Sequence, residues 1–309
     1  MRKNNSSPDS STCRPVDSLT QEKDWTTIIK PKNKLLEVNL KEIWDYRDLL
    51  TLFVKRDIIT SYKQTILGPL WWIIQPMMTV IMYMVVFGGI AGIPTEGVPQ
   101  PLFYLGGVCM WQYFADCLNK TSNTFVNNAG IFGKVYFPRM VVPISTVISN
   151  LLRFAIQFGL FVLVYVAYAL FDPSCGAHLT WHVLLFPLLV LMIAGLALGF
   201  GTIISSMTTK YRDLQILFTF LVSLWMYATP IVYPLSQTAG KQVVGLSLHT
   251  LMCLNPVTAI IETFKYGFLG AGDFIGWGWL GYSFGFMVLT LMFGILIFNK
   301  VQKNFMDTV

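Results

Sequence analysis

The chain has 309 residues, of which 54% are hydrophobic and 12% charged, with a formal net charge of +6. A soluble domain of ordinary composition carries about 25% charged residues, so the make-up of this chain excludes that class. Its Lys and Arg residues are spread over many segments and form no single patch, which argues against a nucleic-acid partner and for a membrane one.

Residues 1–34 are polar and rich in Ser, Asn and Lys. With no apolar core segment they read as a flexible cytoplasmic tail without a cleavable signal peptide. Residues 35–66 read as an amphipathic helix lying in the membrane interface. Within it Leu40, Ile43, Trp44, Leu50, Val54, Ile58 and Tyr62 recur at helical spacing over 40–62, while Lys41, Glu42, Asp45, Lys55 and Arg56 fall largely elsewhere and Arg47 intrudes on the stripe. A solvated helix packed on a soluble partner is the alternative. Gly68-Pro69 should end this helix and turn the chain into the bilayer. Trp71 and Trp72 then fit the headgroup belt, and Pro76 should kink the first span.

Residues 67–309 read as a six-span transmembrane domain. Apolar runs at roughly 70–90, 101–118, 143–170, 182–208, 214–234 and 280–299 each reach about the 20 residues a hydrocarbon core requires. Nineteen of the 22 Lys and Arg residues fall on one side of that pattern, which places both termini in the cytoplasm. Gly195-x-x-x-Gly199 with Gly201, and Gly281-x-x-x-Gly285, are spaced for close helix approach in lipid.

Aromatic residues make up 15% of the chain. Tyr83 and Phe87 lie in the first span. In the second, Tyr104 and Trp111 are seven residues apart and share a face, with Phe114 nearby. In the fifth, Phe218 and Trp225 repeat that spacing. Aromatic faces with polar edges suit a ligand such as a sugar ring, which makes these seven candidate substrate-channel residues. Lipid contact is the alternative for each of them.

The loop after the second span, Asn127 to Arg139, is basic, aromatic and proline-containing. It suits a short helix docking on a cytoplasmic partner through Phe132, Lys134, Tyr136, Phe137 and Arg139. The Lys210-Tyr211-Arg212-Asp213 turn is a second contact candidate through Arg212. The outer segment 235–279 has short apolar stretches, 243–254 and 257–269, broken by Gly and Asn255-Pro256. Too short to span, they read as two half-helices dipping back from outside, with surface helices as the alternative.

No Gly-x-x-x-x-Gly-Lys-Ser/Thr occurs, so ATP is not bound through a P-loop here. No His or Cys cluster suggests a metal, and Cys175 and Cys253 in outer loops are read as unpaired. Asp116 and Arg153 are the few charges inside the spans. Such sparseness argues against a carboxylate relay and ion coupling.

Several strings together resemble polysaccharide-exporting ABC-2 type transporter permeases. These are Tyr62-Lys63-Gln64-Thr65-x-Leu67-Gly68-Pro69-x-Trp71 with Gln75-Pro76, Phe114 to Asn119, Gly133 to Arg139, Tyr211 to Leu214, and Asn255-Pro256. The resemblance covers roughly 40–300, and O-antigen exporters are the nearest group, with capsule and teichoic-acid exporters close to them. It implies a bacterial inner-membrane homodimer embedded in lipid, with two separate nucleotide-binding ATPase subunits that carry the ATP and Mg, and a lipid-linked polysaccharide as cargo. It places energy coupling in 40–62 and 127–139 and a re-entrant pair in 235–270. On that basis Lys55, Arg56 and Lys63, with backbone N–H groups at the Gly68 break, would meet the lipid pyrophosphate. Positive-inside charge is the plainer reading of those three cations. The rival functions are a drug or small-lipid permease of the same fold and an ion-coupled secondary transporter.

Overall fold

The computed structural model describes residues 40–63, 65–135, 137–172, 176–211, 213–243 and 245–304. Long apolar runs satisfy their backbone N–H and C=O groups internally as helices, the arrangement a lipid environment demands. The described residues are helical apart from turns and one short hairpin, β1 (Gln242–Val243) paired antiparallel with β2 (Leu246–Ser247).

The predicted interface helix is two helices, α1 (Leu40–Asp45) and α2 (Arg47–Tyr62), separated at Tyr46. Its packing face also differs from the stripe read from sequence. Phe53 is the buried residue of α2, flanked by the half-buried Ile43, Tyr46, Leu49 and Leu50, whereas Trp44 is 70% exposed. The ring of Phe137, 5.7 Å from Phe53, decides which face turns inward. After α2, Gly68 takes φ +51°, a left-handed conformation that suits glycine, and opens a 3-10 turn, Gly68–Leu70.

α3 (Trp71–Tyr83) runs through Pro76 and passes into a π-helical segment, Met84–Ile90. Proline has no N–H to offer the carbonyl of residue i−4, Trp72. Gln157 Nε2 from α6 donates to that carbonyl at 3.4 Å instead. α4 (Gln100–Ser122) is the most enclosed long helix, with Leu102 to Met110 entirely buried. It leads at Asn123 into the short α5 (Thr124–Phe132), and α6 (Val141–Phe171) follows. A 3-10 turn, Trp181–Leu185, precedes α7 (Phe186–Thr208), and α8 (Asp213–Tyr227) ends well short of residue 234, just before the turn at Thr229-Pro230. α9 (Leu248–Cys253), α10 (Pro256–Leu269) and α11 (Trp277–Asn304) complete the helices of the described residues.

Four stretches among the described residues are long and apolar enough to cross a membrane: 68–90, 141–171, 181–208 and 277–302. α4 has the length, about 35 Å at 1.5 Å per residue, but Gln112, Asp116, Asn119 and Lys120 make it more polar. α8 has 15 residues and reaches about 22 Å.

The main core forms around α4, which packs on α3, α6, α7 and α10. α7 lies closest to α11. A Cβ on Gly199 would fall 2.9 Å from the Thr290 carbonyl carbon and the Leu291 nitrogen, and one on Gly195 would strike Met287. Gly294 answers from α11, where a Cβ would meet Gly199 O. Gly281 and Gly285 face open space within the chain, so the close approach on α11 belongs to Gly294. A second, separate core joins α2, α5, the start of α6 and the end of α11 through Phe53, Phe125, Phe132, Phe137, Met140, Val141, Val142 and Phe298.

Candidate functional site

Three helices set polar residues at helical spacing and aim them at one place. α4 supplies Gln112, Asp116 and Lys120 at successive i, i+4 steps. α6 supplies Thr146, Ser149, Asn150 and Arg153 at i, i+3, i+4 and i+7. α2 supplies Arg56, Asp57, Thr60 and Ser61. Phe53 anchors α2 so that this edge faces α6. The result is a polar cleft made of two cavities of about 360 and 310 Å³ that share Asp57, Ser61, Lys120 and Ser149. The larger runs along α2, α5 and α6 past Asn127 and Asn128. The smaller reaches α3 at Trp71, Trp72 and Gln75 and is backed by Asn150 and Arg153.

Arg153 Nη1 lies 2.8 Å from Asp116 Oδ2, and its Nη2 donates to Gln75 Oε1 at 2.8 Å. One guanidinium therefore ties α3, α4 and α6 at a common level. Gln112 Nε2 donates to Asp116 Oδ1 at 3.1 Å, and Lys120 Nζ donates to Asn150 Oδ1 at 2.7 Å. Arg56 Nη2 meets Asp57 Oδ1 at 2.8 Å, and its guanidinium stacks over Phe53. Both members of the Arg153–Asp116 pair are more than four-fifths buried. Such a pair holds only when hydrogen bonds complete it, as Gln75 and Gln112 do here.

Of the residues assigned to pyrophosphate entry, Arg56 lines the larger cavity, while Lys55 and Lys63 are exposed outside it and Gly68 sits in the turn before Trp71. Among the coupling residues, Phe132 and Phe137 are interior to the second core, 2% and 5% exposed, and so are not free to touch a partner. Arg139 Nη1 donates to the Gln302 carbonyl at 2.8 Å and stacks over Phe132, which ties the loop to the end of α11. Burial lowers the pKa of its guanidinium from the usual value. Lys134 and its neighbour Val135 are exposed. Tyr136, Arg212 and Cys175 lie outside the described residues.

The aromatic set divides in two. Tyr104, Trp111 and Phe114 are enclosed by the chain's own side chains and, in this conformation, line no open space. Trp111 and Phe114 pack with Trp225, centroids 6.4 and 5.2 Å away. Tyr83, Phe87, Phe218 and Trp225 are partly exposed at the edge of that cluster.

Sequence reasoning passed over the Glu262–Lys265 pair. Both are buried in α10, with Lys265 Nζ 3.3 Å from Glu262 Oε1, 2.5 Å from the Pro230 carbonyl oxygen, and over the Phe103 ring. Two charges three residues apart in an otherwise apolar helix were the available signal. α10 itself is capped by the Asn255 side chain, which accepts from Val257 N and donates to Ala228 O and Thr229 Oγ1. It ends at Gly270 with φ +62° and is enclosed by α4, α7 and α11.

The sequence profile of the ABC-2 type transporter family matches residues 48–269. The chain is 29% identical over 227 residues to the O-antigen export system permease protein RfbA of Myxococcus xanthus, covering 73% of this chain and 82% of that protein. It is 26% identical over 266 residues to the protein of the same name from Klebsiella pneumoniae, covering 84% and 94%. It is 23% identical over 259 residues to the polysialic acid transport protein KpsM of Escherichia coli, covering 80% and 91%.

Proposed function

We propose that this chain, which belongs to the ABC-2 type transporter family, is the membrane permease of an ATP-driven exporter that carries lipid-linked polysaccharide, of the O-antigen class, out of the bacterial cytoplasm. The observation that carries the reading is the match over most of the chain to relatives named for O-antigen and polysialic acid transport. The two further helices, α4 and α8, complete six spans with both termini cytoplasmic. α9 and α10 form the re-entrant outer pair, and α1 and α2 rest in the inner interface. Two copies of the chain form the pathway, and two separate ATPase subunits bind beneath it.

In this reading the lipid tail stays in the bilayer while its pyrophosphate meets Lys55, Lys63 and the turn at Gly68, with Arg56 behind them at the mouth of the cleft. The ATPases press on the exposed Lys134 and on Arg212. Phe132, Phe137 and Arg139 pass that movement inward, because the second core links the loop to both α2 and α11. The glycan passes Tyr83, Phe87, Phe218 and Trp225. Tyr104, Trp111 and Phe114 back that wall and join it if the helices part, a change between two packed arrangements.

Deleting the chain tests the proposal. Surface polysaccharide should vanish and lipid-linked glycan should accumulate in the cytoplasm. Normal glycan in both places would overturn the reading and favour a drug or small-lipid permease. Functional export by the purified chain without any ATPase would favour a secondary transporter.

A further inference from the structure

The smaller cavity of the cleft is built differently from an anion site, and the difference points to what it holds. Its guanidinium is already matched by a carboxylate, and its ammonium is bonded to a neutral amide. Arg153 is held by Asp116 at 2.8 Å, and Lys120 is held by Asn150 at 2.7 Å. Asp57, which lines both cavities, neutralises Arg56. A phosphate entering here would meet the Asp57 carboxylate and, of the two cations, could engage Lys120 alone unless it pulled Arg153 off Asp116, leaving a buried charge without its partner. A neutral polyhydroxylated group meets no such penalty. Each sugar hydroxyl both donates and accepts, so it can bridge the Asp57 carboxylate, the Gln75 and Asn150 amides and the Arg153 guanidinium without unpairing them. The Arg153 Nε is itself buried and has no partner among the described residues, so the guanidinium meets the cavity through its Nη atoms. The indoles of Trp71 and Trp72 stand at the rim, with Trp71 49% exposed. An aromatic face beside fixed donors and acceptors suits the apolar face and polar edge of a pyranose ring. At about 310 Å³ the cavity is at the small end of ligand pockets, room for roughly one or two rings and not for a chain.

We propose that the cavity between Trp71, Gln75, Asp57, Asn150 and Arg153 is a recognition subsite for a neutral hexose or N-acetylhexosamine, the sugar at the lipid-linked end of the glycan. This rests on the export reading above and adds selectivity to it. Trp71 follows the Gly68 turn by three residues. A pyrophosphate held at that turn would therefore deliver its first sugar to the indole next in sequence.

The test uses the full-length permease in lipid nanodiscs and saturation-transfer NMR with methyl glycosides of glucose, galactose, mannose, N-acetylglucosamine and N-acetylgalactosamine at about 10 mM, the millimolar range of weak sites. At least one glycoside should bind saturably, should bind at least about fivefold more weakly to Trp71→Ala and Gln75→Ala, in line with loss of one stacking or polar contact, and should resist displacement by inorganic pyrophosphate. Both substituted side chains are exposed. Gln75 also accepts from Arg153, so Trp71→Ala is the variant that leaves the Arg153–Asp116 pair untouched, and thermal unfolding checks that Gln75→Ala keeps it. Binding of no glycoside, undiminished binding by both variants, or displacement by pyrophosphate would each overturn the proposal. Glycan export in cells carrying the same variants separates the two ideas. Wild-type export alongside a silent cavity sinks only the subsite, whereas absence of any export role sinks the function itself.

Discussion

Replacing Asp116 by Leu should do more harm than replacing Asp116 and Arg153 together. The pair is 2.8 Å apart and its side chains are 18% and 16% exposed. Charges about 4 Å apart at an effective dielectric constant of about 20 attract by about 4 kcal/mol. Losing the carboxylate leaves the Arg153 guanidinium buried with Gln75 as its remaining partner, a change that costs about 3–5 kcal/mol. Arg153→Met strands Asp116 in the same way, although Gln112 still donates to it. In the double variant Asp116→Leu/Arg153→Met neither charge is stranded, and apolar side chains of similar volume fill the gap between α4 and α6. Its stability should lie above that of either single variant, with a coupling energy of about 3 kcal/mol. Denaturant unfolding of the four proteins in mixed micelles measures this cycle. Strictly additive losses would refute the reasoning, since they would mean that the two groups do not interact. Export by the stable double variant then reports whether tying α3 to α4 and α6 serves movement as well as stability.

Tyr104→Phe should leave stability unchanged or raise it, because the buried Tyr104 hydroxyl has no partner among the described residues and leaving such a group unpaired costs about 1–3 kcal/mol. A fall in the melting temperature would show that the hydroxyl is bonded in the working protein. Phe298→Ala should lower stability by about 3–5 kcal/mol, as its fully buried ring stacks 4.5 Å from Phe125. If the second core transmits movement, ATPase stimulation by the permease should fall while the subunits still co-purify. Gly199→Val should prevent accumulation of folded protein, since a Cβ there meets the α11 backbone at 2.9 Å, and normal levels on a membrane blot would argue against this helix pairing. Lys265→Met should destabilise more than Glu262→Gln. The first strands a buried carboxylate and frees the Pro230 carbonyl, while the second keeps an acceptor for Lys265. Thermal unfolding ranks the two.

The strongest signals in the sequence were those with long periods. Four of the apolar runs are helices long enough to cross a membrane, and α10 starts at Asn255-Pro256 as cap chemistry indicates. Gly68 makes the turn into α3, although α2 has already ended at Tyr62, and the short helix expected in 127–139 spans Thr124–Phe132. The cleft was only half legible. Asp116 and Arg153 stood out as rare charges within apolar runs, but the polar stripes of α4 and α6 that make them one site are diluted among apolar neighbours. Aromatic spacing gave the shared face of Tyr104 and Trp111 but not its surroundings, and both are interior.

Composition and charge distribution by themselves determined that this is a membrane protein, because no soluble chain can hide so much apolar surface with so few charges to cover it. Local chemistry likewise marked the start of α10 at Asn255-Pro256 and the turn at Gly68, but not the division of α1 from α2 at Tyr46 or the early end of α8. Only the tertiary structure decided which face of each helix turns inward. A helical stripe states that a face exists, not what will cover it. Phe53 faces Phe137 while Trp44 stays outside, and Gly294 rather than Gly281 receives α7, since those choices depend on partners far away in sequence whose shapes either fit or collide.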